Sequence, residues 1–215
     1  MASFAILLGF RVDRIQPGSL STSSQTIMLR ITLTLLLTPL ALFGVIELRS
    51  IDFDQSRDDW NIITIELRSV RDDTESGYDN NIKVVPHLSY QLADGSFTYY
   101  RSSAEVLTVK HGDSFVVPFI LPGPIVERDR LRAEPFAFYI EIIVDGEALA
   151  FSPDFVSDNI RGNAEAIRSL KQRSEGPEGQ QNDGILRPFY INPGVLGGNL
   201  RGLPIFRRPE GFPVD

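Results

Sequence analysis

Between residue 45 and about residue 151 the chain alternates short apolar segments with turn sequences, and this pattern limits the fold more than any other feature. The clearest segment runs from Ile82 to Leu92, with apolar residues at every second position. Asp94-Gly95 follows it as a hairpin signal, and Asp145-Gly146 marks a second hairpin. About seven to nine such strands with no helix between them predict an all-β fold, an antiparallel immunoglobulin-like β-sandwich. A half-open barrel is the alternative.

Pro86 indicates where that clearest strand lies in its sheet. Proline has no N–H to donate, so the strand is expected at a sheet edge or bulged at this residue. His87 then falls on the polar face, where we expect it to be exposed to solvent. In the first apolar segment the apolar positions change phase between Leu48 and Ile51, which predicts a β-bulge.

The character of the chain changes after the predicted sandwich domain, residues 45–160. The segment 161–173 is predicted to carry one short helix, over residues 164–173, for which Asn163 is a good N-cap. Residues 174–184 are polar and aperiodic, and we interpret them as a linker. Residues 185–215 begin with one possible extra strand and continue as an irregular tail rich in Gly, Pro and large apolar residues. Such a tail either packs back over the sandwich or docks on a partner.

Residues 28–44 have the composition of a secretory signal peptide, which would form an N-terminal signal helix. Arg30 supplies the charge, residues 31–43 supply the apolar run and Gly44 is a small residue before the cut. The run is too short for a stable membrane span, although an uncleaved anchor and a buried core element are alternatives. Residues 1–27 are then a disordered segment upstream of the true start at Met28, or else the extended first part of a long signal. The protein is predicted to be exported and to be periplasmic or extracellular.

Cysteine usage and charge exclude several classes of function. The chain has no cysteine, so disulfide frameworks, thiolate zinc sites and cysteine nucleophiles are ruled out. Its formal net charge is −7, and the sequence has no basic stripe to neutralise phosphates. Nucleic acid is therefore not expected as a partner.

The two histidines, His87 and His111, do not predict catalysis. His111 lies close to Asp113 and Ser114, but residues of one tight turn rarely reach the geometry in which a base lies between a nucleophile and an orienting carboxylate. Two histidines so far apart in a sheet protein do not predict a zinc site either. We therefore predict that the protein is not an enzyme.

Asp52, Asp54, Ser56 and Asp58 place oxygen atoms at alternate positions, as a calcium-binding loop does. The segment lacks the glycine of such a loop, and Ile63 stands where the bidentate glutamate would be. These four residues are candidate calcium ligands, with solvated turn residues as the alternative, and no metal or other cofactor is predicted overall. Aromatic residues on the strands could stack against the sugar rings of a glycan, but most of them lie at the apolar positions of alternating strands and are predicted to be core residues.

Two segments carry a resemblance to a known group of proteins. Ile46–Phe53 directly follows the signal, and Leu121–Leu131 contains a Pro-Gly-Pro turn followed by a run of charges. With these features residues 28–191 resemble small exported bacterial immunoglobulin-like sandwich proteins of unassigned function, some of which accompany type IV pilus-type machinery. The resemblance implies a non-enzymatic accessory role with an envelope or secretion-machinery protein as partner, and it brings no catalytic residue with it.

The function predicted from the sequence is a structural or protein-binding role at the cell envelope, performed by an exported non-enzymatic β-sandwich. The alternative is a ligand-binding module for glycan or calcium.

Overall fold

Two antiparallel sheets form a β-sandwich in the computed structural model, which describes residues 46–56, 58–70, 77–150, 152–191 and 202–207. The predicted all-β class is confirmed. Within the described residues, seven strands have five or more residues: β1 Ile46–Gln55, β2 Asn61–Ser69, β3 Tyr78–Gln91, β4 Phe97–Arg101, β5 Ala104–Lys110, β6 Ser114–Leu121 and β7 Ala137–Val144. Three short strands have two residues each: β8 Glu147–Ala148, β9 Arg187–Pro188 and β10 Ile205–Phe206. The predicted signal peptide at 28–44 and the segment 1–27 lie outside the described residues.

The two sheets differ in their strand order. The first has the order β1-β2-β6-β9, so β1 lies at its edge. The second has the order β10-β5-β3-β7-β8, and β4 also pairs with β3. In the β1–β2 pair the register shifts between Leu48 and Ser50, which confirms the predicted bulge.

The strand that contains Pro86, β3, lies at the centre of the second sheet, and its register with β7 is continuous through Pro86, so neither the predicted edge position nor the predicted bulge at this residue is observed. On one side β3 pairs with β7 from Ile82 to Ser89. On the other side it pairs with β5 up to Val84 and with β4 from His87 onward. Pro86 lies at the step between these two partners, where neither β5 nor β4 provides a register partner. A proline is tolerated there because no ladder hydrogen bond on that side is lost.

The described residues contain three α-helices, whereas the sequence predicts one: α1 Gly123–Asp129, α2 Ala164–Glu175 and α3 Pro177–Gln180. Helix α2 begins at the predicted N-cap, since the Asn163 side chain accepts a hydrogen bond from the Ala166 N–H at 3.0 Å. Helix α1 contains the last two residues of the Pro-Gly-Pro turn and the beginning of the run of charges that follows it. Two 3₁₀ turns, Pro153–Phe155 and Phe189–Ile191, complete the helical structure of this part of the chain. None of these helices has the length and apolar character needed to span a membrane.

The segment 174–184 is folded, which corrects its interpretation as a linker. It contains the end of α2, all of α3 and a turn, and α3 contacts β4. The Asn182 side-chain amide donates to Thr98 Oγ1 at 3.0 Å and to the Tyr99 carbonyl at 2.8 Å. Asn182 thus ties the segment to the sheet, a role that composition alone does not reveal.

The described part of the C-terminal tail packs back over the sandwich. Residues 185–191 contain β9, which pairs with β6 and supplies the predicted extra strand. Strand β10 pairs with β5, and the Arg207 N–H donates to the Glu105 carbonyl at 2.7 Å. The Phe206 ring lies 5.5 Å from the Phe189 ring between centroids. Residues 202–207 therefore pack back over the sandwich, which is the first of the two arrangements expected for the tail.

The inward-facing side chains of both sheets form one hydrophobic core. Ile63, Ile65 and Leu67 alternate along β2 with more exposed residues, and all three are fully buried. Phe119 of β6 lies opposite Ile63 in the register and is fully buried as well. This core fixes the positions of the loops that carry the site described next.

Candidate functional site

Phe97 and Phe136 form an aromatic pair on the protein surface. Phe97 is the first residue of β4, and Phe136 immediately precedes β7. Their ring centroids are 4.9 Å apart with an interplanar angle of 61°. Phe97 is 38% exposed and Phe136 is 51% exposed, so both rings leave apolar area in contact with water. Burial of this area against a partner would stabilise the complex. Two contacting rings form a small contiguous apolar surface, and this surface is the first feature of the candidate interaction site.

Phe136 lies between two open clefts of about 500 and 460 Å³. We name the first the arginine cleft, and it is lined by Tyr90, Gln91, Leu92, Ala93, Gly95, Arg130, Arg132, Glu134, Pro135 and Phe136. The second extends toward the edge strand β1, and its apolar lining comes from Leu48, Ile51, Phe53, Pro135, Phe136, Phe138 and Val156. An aromatic side chain that borders both clefts can contact a ligand in either one.

The loop that carries Phe136, residues 130–136, is held in place by hydrogen bonds to its backbone. Three side chains donate to its carbonyl groups: Asn61 Nδ2 to Arg132 at 2.7 Å, Tyr90 OH to Ala133 at 3.4 Å and Asn159 Nδ2 to Phe136 at 2.5 Å. These donors come from β2, β3 and the segment after β7. The exposed ring is therefore presented by a positioned backbone, which lowers the ordering cost of binding a partner.

Arg130 and Arg132 place positive charge beside the aromatic pair. Both are exposed, and neither forms an ion pair with any of the described residues. The chain as a whole has a formal net charge of −7. The lining carries two guanidinium groups and one carboxylate, that of Glu134, so the arginine cleft is a local positive site on an acidic protein and favours a ligand that carries negative charge.

Tyr90 and Tyr100 form an edge-to-face pair beside this loop, with ring centroids 5.8 Å apart. Tyr100 OH donates to Asp129 Oδ2 at 3.3 Å, and the Arg128 guanidinium binds the same carboxylate at 2.7 Å. Hydrogen bonds from Arg128 lower the pKa of Asp129. Burial raises the pKa of Tyr100 to about 12.

The Tyr100→Phe variant is expected to reduce the loss of stability at alkaline pH. The pKa of Tyr100 is about 12 in the folded protein and has its ordinary value of 10.0 in the unfolded chain. The neutral side chain therefore contributes fully to the unfolding free energy below about pH 10, and this contribution is lost as the pH rises through about 12. Urea unfolding at neutral pH and at about pH 11 measures the difference. The exposed Tyr78→Phe variant is the control, and equal alkaline losses in the two variants would contradict the assignment.

His87 is fully buried against α2, which corrects the prediction that its face of β3 is solvated. Its ring stacks on Tyr139 of β7 with centroids 5.6 Å apart. Its Nδ1 lies 2.7 Å from Ser174 Oγ, and Ser174 on α2 is 2% exposed. The face of β3 that looks polar in the sequence is covered by a helix whose own polar residues bond to it.

Glu141 of β7 connects His87 to α2 as well. Its Oε1 accepts a hydrogen bond from Lys171 Nζ at 2.6 Å, and its Oε2 lies 3.5 Å from His87 Nε2. The His87 ring and then the Lys171 ammonium lower the pKa of Glu141 to about 2, against burial, which acts in the opposite direction. The carboxylate therefore stays charged at neutral pH and helps to hold α2 on the sheet.

The contacts of His87 resemble a hydrolase triad, because its ring lies between the Ser174 hydroxyl and the Glu141 carboxylate, but the geometry differs. In such a triad the imidazole Nε2 faces the serine and Nδ1 faces the carboxylate, whereas here the two nitrogens are exchanged. Ser174 Oγ also donates to the Lys171 carbonyl at 2.8 Å. Because both Ser174 and His87 are closed to solvent, a substrate carbonyl has no path to this hydroxyl.

His111 pairs with Asp79 rather than with its neighbours Asp113 and Ser114. His111 Nε2 lies 3.3 Å from Asp79 Oδ1, and Ser69 Oγ donates to the other oxygen of that carboxylate. The carboxylate lies between the imidazole and the Ser69 hydroxyl, so the imidazole does not reach the serine. The arrangement ties β2 and β3 to the turn after β5.

The calcium candidates are not brought together by the fold. Asp52 and Asp54 are exposed residues of β1, and Ser56 and Asp58 lie in the turn that follows. Asp52 accepts a hydrogen bond from Ser50, and Ser56 Oγ accepts one from the Trp60 N–H. Within the described part of the chain, the only group of three or more acidic or histidine side chains with ligand atoms inside 4.8 Å of one another is at another location.

The sequence assigns Phe136 to the core, because it continues the apolar alternation of β7. It lies one residue outside that strand, after a proline, and this position leaves it exposed. Phe97 follows the β3–β4 turn, in which the Gly95 N–H donates to the Leu92 carbonyl. Phe97 and Phe136 both lie at the end of a strand next to turn or loop residues, and this position in the sequence distinguishes them from core residues.

No family model matches the chain, and no curated protein matches it. A crystal structure of a protein from Akkermansia muciniphila is similar to it, with a TM-score of 0.56 and 16% sequence identity. The match covers 78% of this chain and 94% of that chain. At this level of identity the similarity concerns the fold alone.

Proposed function

We propose that this protein is an exported, non-enzymatic β-sandwich that binds another protein at the cell envelope. The observation that carries the proposal is the exposed Phe97–Phe136 pair, which a hydrogen-bonded loop positions between two clefts. Aromatic residues, including Phe, and arginine are both enriched in protein interfaces. The binding surface consists of this pair and the arginine cleft.

The partner of this surface is a protein segment with a large apolar side chain flanked by carboxylates. Apolar contact with Phe97 and Phe136 supplies the burial, and Arg130 and Arg132 supply the complementary charge. A glycan is a weaker fit, because sugar rings stack on a flat aromatic face and the two rings here are inclined at 61°.

The burial of His87 and Ser174 supports the non-enzymatic part of the proposal. Their cluster has the residue types of a hydrolase but offers a substrate no access. Its hydrogen bonds join α2 to β3 and β7, which is a structural role.

Export is supported by the signal-like composition of residues 28–44 and by the resemblance to exported sandwich proteins that accompany envelope machinery. We expect the secreted form to begin at Val45, after cleavage behind Gly44. Intact-mass measurement and N-terminal sequencing of the protein from cell fractions test this. Recovery of a form that starts upstream of Met28 in the cytoplasm alone would contradict export.

In-cell photocrosslinking tests the binding surface. A photoreactive phenylalanine analogue replaces Phe136 in one variant and the exposed Glu147 of β8 in the control. We expect one envelope protein to crosslink at position 136 but not at position 147, and the Phe97→Ser change to abolish that product. Crosslinks of equal pattern at both positions, no protein product, or a polysaccharide product would overturn the proposal.

A further inference from the structure

His87 Nε2 is a buried nitrogen without a good hydrogen-bond partner among the described residues. The other ring nitrogen, Nδ1, is occupied by Ser174 Oγ at 2.7 Å. If Nδ1 carries the ring proton, Nε2 presents a lone pair toward the Glu141 carboxylate. A lone pair that faces a carboxylate in a closed environment is unfavourable, so this contact requires a positive charge, which either a proton on Nε2 or a bound cation supplies.

The distance between these two atoms suits a shared metal ion. His87 Nε2 and Glu141 Oε2 are 3.5 Å apart, which is long for a hydrogen bond. In a tetrahedral zinc site with bonds of about 2.0–2.1 Å, neighbouring ligand atoms are roughly 3.3–3.4 Å apart. The hydrogen bond from Nδ1 to Ser174 is the support that metal-binding histidines commonly have.

Glu175 supplies a third ligand from the solvent side. It is the last residue of α2 and is exposed, and its carboxylate lies within 4.8 Å of the His87 and Glu141 ligand atoms. Glu175 is thus the solvent-side member of the cluster, while His87 and Glu141 are buried. Its exposure also makes it a residue that can be changed without disturbing the core.

The charge of the cluster leaves room for a cation. Two carboxylates, Glu141 and Glu175, face one ammonium, that of Lys171. Lys171 Nζ binds Oε1 of Glu141, so Oε2 is left for a second positive group. An imidazole ligand selects a zinc-like ion over calcium or magnesium, which prefer oxygen ligands.

We infer that His87, Glu141 and Glu175 form a binding site for one zinc-type divalent cation at the C-terminal end of α2. This site differs from the one considered in the sequence, because it uses one histidine with two carboxylates instead of two histidines. The bound ion would join α2 to β3 and β7, beside the existing bond between Lys171 and Glu141.

Calorimetric titration of the chelator-treated protein, purified without a polyhistidine tag, tests the site. We expect one equivalent of Zn²⁺ per chain and no binding of Ca²⁺ here. The Glu175→Gln variant should weaken zinc binding by at least the ~10–100-fold that even outer contacts of metal sites contribute. The matched control is Glu178→Gln, an exposed neighbour on α3 that should bind zinc as the wild type does. Equal zinc affinity in the two variants, or no saturable binding by the wild type, would overturn the inference.

The histidine signals give a second readout that does not depend on the carboxylate variants. The chain has two histidines, so the His111→Gln variant leaves His87 as the single imidazole. Zinc should shift the Nε2 resonance of His87 in the nitrogen NMR spectrum. A spectrum that zinc leaves unchanged would place the ion elsewhere and refute the site.

Discussion

The Phe119→Ala variant is expected to lose about 3–5 kcal/mol of unfolding free energy, the range for truncating a buried phenylalanine. Phe119 is fully buried in β6. It lies opposite Ile63 of β2 on one side and Pro188 of β9 on the other. Its removal leaves a cavity between strands whose backbones are fixed on both sides, so the core has little freedom to collapse. Urea unfolding, followed by the fluorescence of the single tryptophan Trp60, measures the loss.

The Phe136→Ala variant is the control for this result. It removes the same side chain from a surface position, where the contact with Phe97 is worth at most about 1.5 kcal/mol. A loss in Phe136→Ala as large as in Phe119→Ala would mean that Phe136 belongs to the core. A small loss in Phe119→Ala would contradict the packing of the two sheets around β6.

The Gly179→Ala variant is expected to lose about 1–3 kcal/mol or more, the cost of forcing extra atoms into a packed site. A Cβ atom at this position would lie 1.9 Å from the Ser174 carbonyl oxygen, and the colliding atom belongs to the backbone. The junction between α2 and α3 must therefore open. Since Ser174 bonds to His87, the change should also loosen α2 from the sheet.

Hydrogen exchange distinguishes this local effect from general destabilisation. Relative to the wild type, the Gly179→Ala variant should show faster exchange at the amides of α2 and little change at those of β2 and β6, because the local opening exposes α2 first. The exposed neighbour Glu178→Ala serves as the control and should retain wild-type exchange in α2. Uniform acceleration across both sheets would contradict the view that Gly179 acts through the helix junction.

The sandwich could be predicted because its strands carry local signals. The two-residue turn at Asp145-Gly146 has positive φ at both residues, as the sequence predicts. The bulge in β1 follows from a change in apolar phase that only a bulge can accommodate. These features depend on neighbouring residues, so one sequence is enough to find them.

The place of β3 and the burial of His87 depend on elements far away in the chain. Pro86 fits a central strand because β5 ends and β4 begins beside it, a fact of topology that the strand's own residues do not carry. His87 is buried because α2 covers it, and Ser174 and Lys171 of that helix lie more than eighty residues later. Alternation shows only that a position differs from its neighbours, not whether water or a polar helix face covers it.

The candidate site also required the fold. Arg130, Arg132 and Phe136 come from a segment that the sequence marks as charged, but their common cleft with Tyr90 and Leu92 depends on β3 lying beside the loop. The hydrogen bond from Asn61 to Arg132 joins residues 71 positions apart. Such long-range contacts leave no periodic pattern in the sequence.

The affinity of the crosslinked partner segment, measured with a synthetic peptide, tests the proposed binding surface most directly. Truncating a positioned aromatic anchor typically costs about 2 kcal/mol or more, which corresponds to roughly 30-fold in affinity. We therefore predict that Phe136→Ser weakens peptide binding at least ~30-fold, while Ile205→Ser, at an exposed site on β10, leaves it unchanged. Equal binding by wild type and Phe136→Ser would show that the partner does not use the aromatic pair, and the proposed function would then be wrong.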